Sequence, residues 1–226
     1  MNKIGAPLLV KQITLSSKFR QNPVVLQLRG PHLFSRVAAR ALPRLPDTPP
    51  RGIFCMGPHR IPCAIGRNGI SNKRHEGDGV SPFGRFRIVG WMRSKSWKPY
   101  RADCRTITQR DGWCDDPVSL LYNRQVVLPF RAGAEKLQRD DGVYDLIGIL
   151  DFNFRPRIVG RGSAIFFHLA HSDLKPTAGC LGLKRNVMRK TQFLWSSRLQ
   201  IDVGDFSRPR RSPKIADPRR TWVAPS

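Results

Sequence analysis

The chain has 226 residues, 40% hydrophobic and 25% charged, which is enough apolar material for one packed domain and excludes a wholly disordered polypeptide. Lys and Arg number 40 against 16 Asp and Glu, a formal net charge of +24 that points to an anionic partner: nucleic acid, a membrane surface or an acidic polymer. No run approaches the roughly 18 consecutive apolar residues of a transmembrane helix.

The charge is concentrated at the ends. Residues 1–49 hold 8 basic residues and 1 acidic, and residues 206–226 hold 6 and 1. This divides the chain into a basic N-terminal extension and linker (1–50), a body (51–205) and a basic tail (206–226). Near the start, Pro7-Leu8-Leu9-Val10 is broken by Lys11-Gln12, short of the roughly 7–15 apolar residues of a signal-peptide core. No convincing signal peptide is read there. Val24-Val25-Leu26-Gln27-Leu28 has the composition of an edge strand. The Pro-rich run Leu42 to Pro50 reads as a linker.

From Arg51 the pattern becomes that of short strands. Gly52–Met56 and Arg60–Ile65 flank turn residues and read as a hairpin, Gly66–Gly79 as a loop, and Gly84–Trp91 as a further strand. Residues 92–142 are irregular and rich in Asp and Arg, with too little periodicity for a core element. Val143–Leu150 and Gly162–His168 are apolar on both faces and read as central strands. After Cys180, the positions Leu183, Val187, Met188, Thr191 and Leu194 fall near helical spacing. Leu199–Val203 reads as a closing strand, and the tail from Ser207 has a disordered composition.

The five cysteines are Cys55, Cys63, Cys104, Cys114 and Cys180, an odd count without any C-x-x-C pair. Their spacing does not suit a structural zinc site, and no metal is expected. The glycine-rich loops lack G-x-G-x-x-G and a βαβ unit, so no nucleotide site is expected either.

The informative stretch runs from Phe166 to Cys180. His168 closes a buried strand, a polar loop containing His171 follows, and Thr177-Ala178-Gly179-Cys180 precedes the predicted helix. A cysteine at a helix N-terminus is favoured as thiolate by the macrodipole. A histidine anchored by strand pairing can serve it as base, and Gly179 lets backbone N–H groups face a substrate oxygen. These are the parts of acyl transfer. His171 reads as an exposed loop histidine.

This segment resembles the catalytic signature of the YkuD family, the L,D-transpeptidases of bacterial peptidoglycan, in which a His precedes [Ser/Thr]-x-Gly-Cys by a loop. Ser81-Pro82-Phe83-Gly84-Arg85-Phe86 resembles the family's [Ser/Thr]-Pro-x-Gly-x-[Phe/Tyr] element. Glu76-Gly77-Asp78-Gly79 and Asp111-Gly112-Trp113-Cys114-Asp115-Asp116-Pro117 resemble forms found in one proteobacterial branch. Pro62-Cys63-Ala64-Ile65-Gly66-Arg67 fits the strand that opens the domain, and the resemblance covers roughly 52–204 in order.

The resemblance implies a mainly β fold, a YkuD-like sandwich of two sheets with one helix after the nucleophile and an irregular insertion at about 92–142. It implies Cys180 as nucleophile, His168 as general base, the amides of Ala178, Gly179 and Cys180 as oxyanion donors, and Thr177 as support for the loop. The substrates would be peptidoglycan stem peptides and glycan, joined as 3→3 cross-links through a Cys thioester, in the periplasm or cell envelope and without a cofactor.

Many members carry a His where Ala178 stands and an Arg where Gly182 stands, so Lys184 or Arg185 is the candidate replacement for the Arg. Trp113, Asp115, Asp116, Tyr122 and Arg124 of the insertion would contact sugar or peptide, Trp113 by stacking. After export Cys104 and Cys114 would be placed to pair, leaving Cys180 free. The basic tail would hold anionic envelope polymer. A hydrolase of the same fold is the first alternative. A basic nucleic-acid-binding protein with structural Cys and His is the second, but no recognisable nucleic-acid-binding motif accompanies the charge, so nucleic acid is not the expected partner.

Overall fold

The computed structural model describes residues 36–42, 49–73, 75–98, 103–195 and 200–204. The predicted edge strand at Val24–Leu28 and the tail 206–226 lie outside these residues.

The first hairpin forms as its turn residues require: β2 (Gly52–Met56) pairs antiparallel with β3 (His59–Ala64) across Gly57-Pro58. Before it, β1 (Arg36–Ala41) lies between β2 and the last strand, β14 (Gln200–Val203). The sheet therefore begins inside the segment read from sequence as an extension. Val37 and Ala39 are buried in the core, although the short stretch shows little periodicity. Two short strands, β4 (Ile70–Ser71) and β5 (Ser81–Pro82), pair parallel and hold the loop between them.

The long strand β6 (Gly84–Arg93) closes the architecture. Its first half pairs with β14 and its second half with β11 (Leu146–Leu150). From β11 the sheet continues through β12 (Phe166–Ala170) and β13 (Leu181–Lys184) to β3. The two layers of the expected sandwich are thus one sheet folded back on itself through β6, with the two-residue strand β7 (Arg105–Thr106) added at the end of β6.

Period-two alternation along the central strands separates two cores. Leu146, Leu150, Phe167 and Leu169 point into the main core between the layers, where Phe167 packs on Phe54 and Trp195 at centroid distances of 5.5 and 5.0 Å. Ile147, Ile149 and Phe166 point the other way, into a second cluster with Ile107, Trp113, Leu137 and Tyr144. The insertion supplies that cover. It is not free of core elements: β8 (Asp111–Cys114), β9 (Gln125–Val127) and β10 (Ala134–Lys136) form a three-stranded sheet whose central strand is buried throughout. Its strands are three or four residues long, too short for a periodic signal in the sequence.

The predicted helix is displaced. Cys180 leads into β13, and the helix α1 (Arg185–Thr191) begins five residues later, followed by a 3-10 turn at Gln192–Leu194. Leu183, assigned to the helix from its spacing, is a fully buried strand residue.

Candidate active site

His168 shares the face of β12 with Phe166, so alternation directs it away from the main core and toward the insertion. Cys180 stands immediately before β13, the parallel neighbour of β12. Both line one cavity of about 310 Å³, whose walls include the Thr177–Cys180 loop, Tyr144, Glu135 and Glu76. The structure therefore brings together the thiol and imidazole singled out in the sequence.

The loop before Cys180 is pinned by backbone and side-chain bonds. Thr177 N–H donates to the carbonyl of Ile65, and Arg67 N–H to the carbonyl of Thr177, each at 2.9 Å. Thr177 Oγ1 donates to the Cys180 carbonyl at 2.7 Å and accepts the Gly179 N–H at 3.1 Å. The Thr177 hydroxyl thus ties the loop at both Gly179 and Cys180, and the Gly179 amide is engaged by that hydroxyl. Gly179 is instead required by its backbone: φ is +149°, and a Cβ there would meet the Val80 carbonyl oxygen at 2.8 Å.

The Cys180 side chain is 7% exposed. Its Sγ donates to the Ala164 carbonyl at 3.1 Å and accepts the Phe166 N–H at 3.3 Å. Burial, reinforced by the Glu135 carboxylate, pushes the thiol up to about 12, outweighing Lys73 and Arg139, which act in the opposite sense. The helix N-terminus inferred to favour the thiolate does not lie at Cys180, because α1 starts five residues further along the chain.

His168 is equally buried, and its Nδ1 lies 2.8 Å from the Leu169 carbonyl. A carbonyl only accepts, so Nδ1 carries the proton and the lone pair resides on Nε2. Burial lowers the pKa to about 4. Tyr144 stands edge-on to the imidazole, with centroids 5.3 Å apart, and donates its hydroxyl to Glu135 Oε1 at 2.7 Å. The resting arrangement is a neutral thiol beside a neutral imidazole with a fixed tautomer.

The candidate substrate contacts divide. Asp115 lines the cavity, and burial together with the Glu76 and Asp116 carboxylates raises its pKa. Trp113 does not offer a face to a sugar: it is 2% exposed, its Nε1 donates to Asn123 at 2.9 Å, and Phe166 packs edge-on against it. Tyr122 is likewise buried and donates to Glu76. Lys184 and Arg185 lie outside the cavity lining. Arg185 is held by Asp145 at 2.5 Å and lies 5.6 Å from the Trp97 ring centroid.

Three residues at the cavity were not singled out from sequence. Glu135 and Arg139 belong to the irregular insertion, where no motif marks them. Arg139 lies 5.1 Å from the Tyr144 ring centroid and pairs with Asp141. Lys73, 5% exposed and paired with Asp78, precedes the Glu76–Gly79 segment. That segment forms part of the cavity wall through Glu76 and Gly77. No disulfide joins any of the five cysteines, Cys104 and Cys114 included.

The profile of the YkuD family, described as the L,D-transpeptidase catalytic domain, matches residues 58–192, more than half of the chain. The chain belongs to the YkuD family. No curated protein and no solved structure matches it. The matched range of this YkuD domain begins in the β2–β3 turn and ends at the 3-10 turn after α1, so it contains the whole cavity wall described above. The strand β1 that completes the sheet lies before it. Family membership places the chain among L,D-transpeptidase-type enzymes of peptidoglycan. Among the described residues, no helix is long and apolar enough to cross a membrane.

Proposed function

We propose that this YkuD domain is a cysteine acyltransferase of the cell envelope that forms 3→3 cross-links between peptidoglycan stem peptides. The observation that carries the reading is that Cys180 and His168 line one cavity, with the His168 Nδ1–H anchored so that Nε2 holds the lone pair. His168 Nε2 takes the Cys180 proton as sulfur attacks the carbonyl of the third stem residue. The amides of Ala178 and Cys180 receive the oxyanion, since that of Gly179 is engaged. The carbon–nitrogen bond to the terminal D-Ala breaks, and its nitrogen takes the proton from His168. A second stem's amine then attacks the thioester, loses its proton to His168, and releases the thiol.

A neutral pair supports a concerted transfer, because neither a thiolate nor an imidazolium is stable in this burial. The carboxylates of Asp115, Glu76 and Glu135 at the same cavity suit a cationic amine acceptor better than water. The basic tail is assigned to anionic envelope polymer, and the site of action to the periplasm.

Mass spectrometry of the protein incubated with disaccharide-tetrapeptides tests this reading, with Cys180→Ala as control. The expected product is a 3→3 dimer formed by the wild type alone. Loss of D-Ala without dimer would establish a hydrolase instead, and absence of both product and thioester would overturn the assignment.

A further inference from the structure

Two loops beside the cavity wall carry side chains that the proposed chemistry does not use. In the turn 116–122, Val118 is 91% and Leu120 89% exposed, and in the loop 155–161, Ile158 and Val159 are also exposed. The two loops are tied together: Arg157 Nη1 donates to the Tyr122 carbonyl at 2.9 Å and Arg124 Nη2 to the Phe154 carbonyl at 3.2 Å. Tyr122 in turn donates to Glu76 of the cavity wall.

Arginines gather at the same place. Burial lowers the pKa of Arg124, and the neighbouring charges of Arg157 and Arg155 lower it further. Among the described residues, none of these three forms an ion pair with a carboxylate. Asp116, which opens the first loop, is turned onto the amides of Val118 and Gly133. Arg161, at the end of the second loop, is exposed.

Protruding aliphatic side chains and mutually repelling arginines are each unfavourable in water. One environment accommodates both: a bilayer surface, where hydrocarbon lies just beneath phosphate. A protein partner of ordinary kind would meet a broad apolar patch rather than side chains exposed by nine-tenths at a loop tip.

We propose that the loops 116–122 and 155–161 form a docking surface for an anionic phospholipid bilayer. Val118 and Leu120 enter the acyl boundary, while Arg155, Arg157 and Arg161 lie on the phosphates. The long-range field of the +24 chain adds to the attraction at low salt. Through Tyr122 and Glu76 the surface holds the cavity at a fixed position relative to the membrane.

Co-sedimentation of the full chain tests this, using vesicles of phosphatidylcholine with roughly one third phosphatidylglycerol against phosphatidylcholine alone. The wild type is expected to pellet with the anionic vesicles. The double variant Val118→Ser/Leu120→Ser is expected to bind roughly tenfold more weakly, even without residues 207–226. Arg155→Gln/Arg161→Gln is expected to weaken binding most at low salt. Melting temperatures equal to wild type would verify that the variants fold. Failure of the wild type to pellet would overturn the proposal. So would loop variants that bind as wild type while removal of 207–226 abolishes binding. Binding of purified sacculi that depends on Val118 and Leu120, without vesicle binding, would assign the surface to glycan instead.

Discussion

The hydroxyl of Ser81 accepts the Gly66 N–H at 2.8 Å and donates to the Gly179 carbonyl at 2.8 Å, reaching partners 15 and 98 residues away in sequence. It is fully buried, so this one side chain sets the position of the loop that ends in Cys180. The Ser of the Ser-Pro-Phe-Gly element has a physical use here that spacing does not reveal.

Replacing Ser81 with Ala leaves a buried N–H and a buried carbonyl without this partner. The expected cost is about 1–3 kcal/mol in urea unfolding, with product formation reduced more than stability alone explains, because the nucleophile's loop loosens. Ser81→Thr retains the hydroxyl and should recover part of the activity. If Ser81→Ala is fully active, the backbone bonds of Thr177 position the loop by themselves.

The buried His168 makes both stability and rate depend on acid. Its pKa is about 4 in the folded protein, below the usual 6.5, so the unfolded chain takes up the proton first as pH falls. The contribution is therefore fully present above about pH 6.5 and is lost progressively down to about pH 4, by about 3 kcal/mol in total. Comparing wild type with His168→Gln between pH 7 and 4 isolates this term, and the variant should show the smaller loss. The acid limb of kcat/KM is expected near pH 4. A limb near 6.5 would show that solvent reaches the imidazole in the working enzyme.

Alkylation reads the state of Cys180 directly. With the thiol pushed up to about 12 by burial, iodoacetamide should modify it slowly at neutral pH, and the rate should rise roughly tenfold per pH unit through pH 9. Half-exposed Cys55 should react sooner, which peptide-resolved mass spectrometry distinguishes. Fast modification of Cys180 at pH 7 would mean that a thiolate–imidazolium pair forms after all.

Most strands of five residues or more were legible: β2, β3, β6, β11 and β12 fall within or close to their predicted spans, while β1, with only Val37 and Ala39 turned inward, was not. The placing of His168 and Cys180 on one cavity was also within reach, because His168 lies on a buried strand and Cys180 ends a distinctive loop. The insertion was not legible, since its strands are short and its packing depends on scattered side chains such as Trp113 and Leu137. Trp113 shows the difficulty well. An aromatic residue flanked by Gly and Asp has the composition of an exposed sugar contact, yet tertiary packing against Phe166 buries it. The helix was shifted for a related reason: Leu181 and Leu183 fit a strand as well as a helix over so short an interval, and pairing with β12 and β3 decides between them.

That pairing also explains the glycine two residues after the nucleophile. Gly182 sits in the sheet opposite His168 on one side and Ala64 on the other. A Cβ there would lie 3.0 Å from the Ala170 Cβ and 3.3 Å from the Ala64 Cβ. Any side chain at this position presses on those two methyls. Gly182→Ala forces a small shift, at an expected cost of about 1–3 kcal/mol. Gly182→Arg adds a longer side chain on the face where Ala64 and Ala170 line the cavity, and it is expected to cost at least as much as Gly182→Ala. Urea denaturation of both variants measures this, and Gly182→Ala combined with Ala170→Gly should regain part of the loss by removing the closer methyl. If Gly182→Arg instead folds as wild type, β13 shifts easily in its sheet, and close packing is not what requires glycine here.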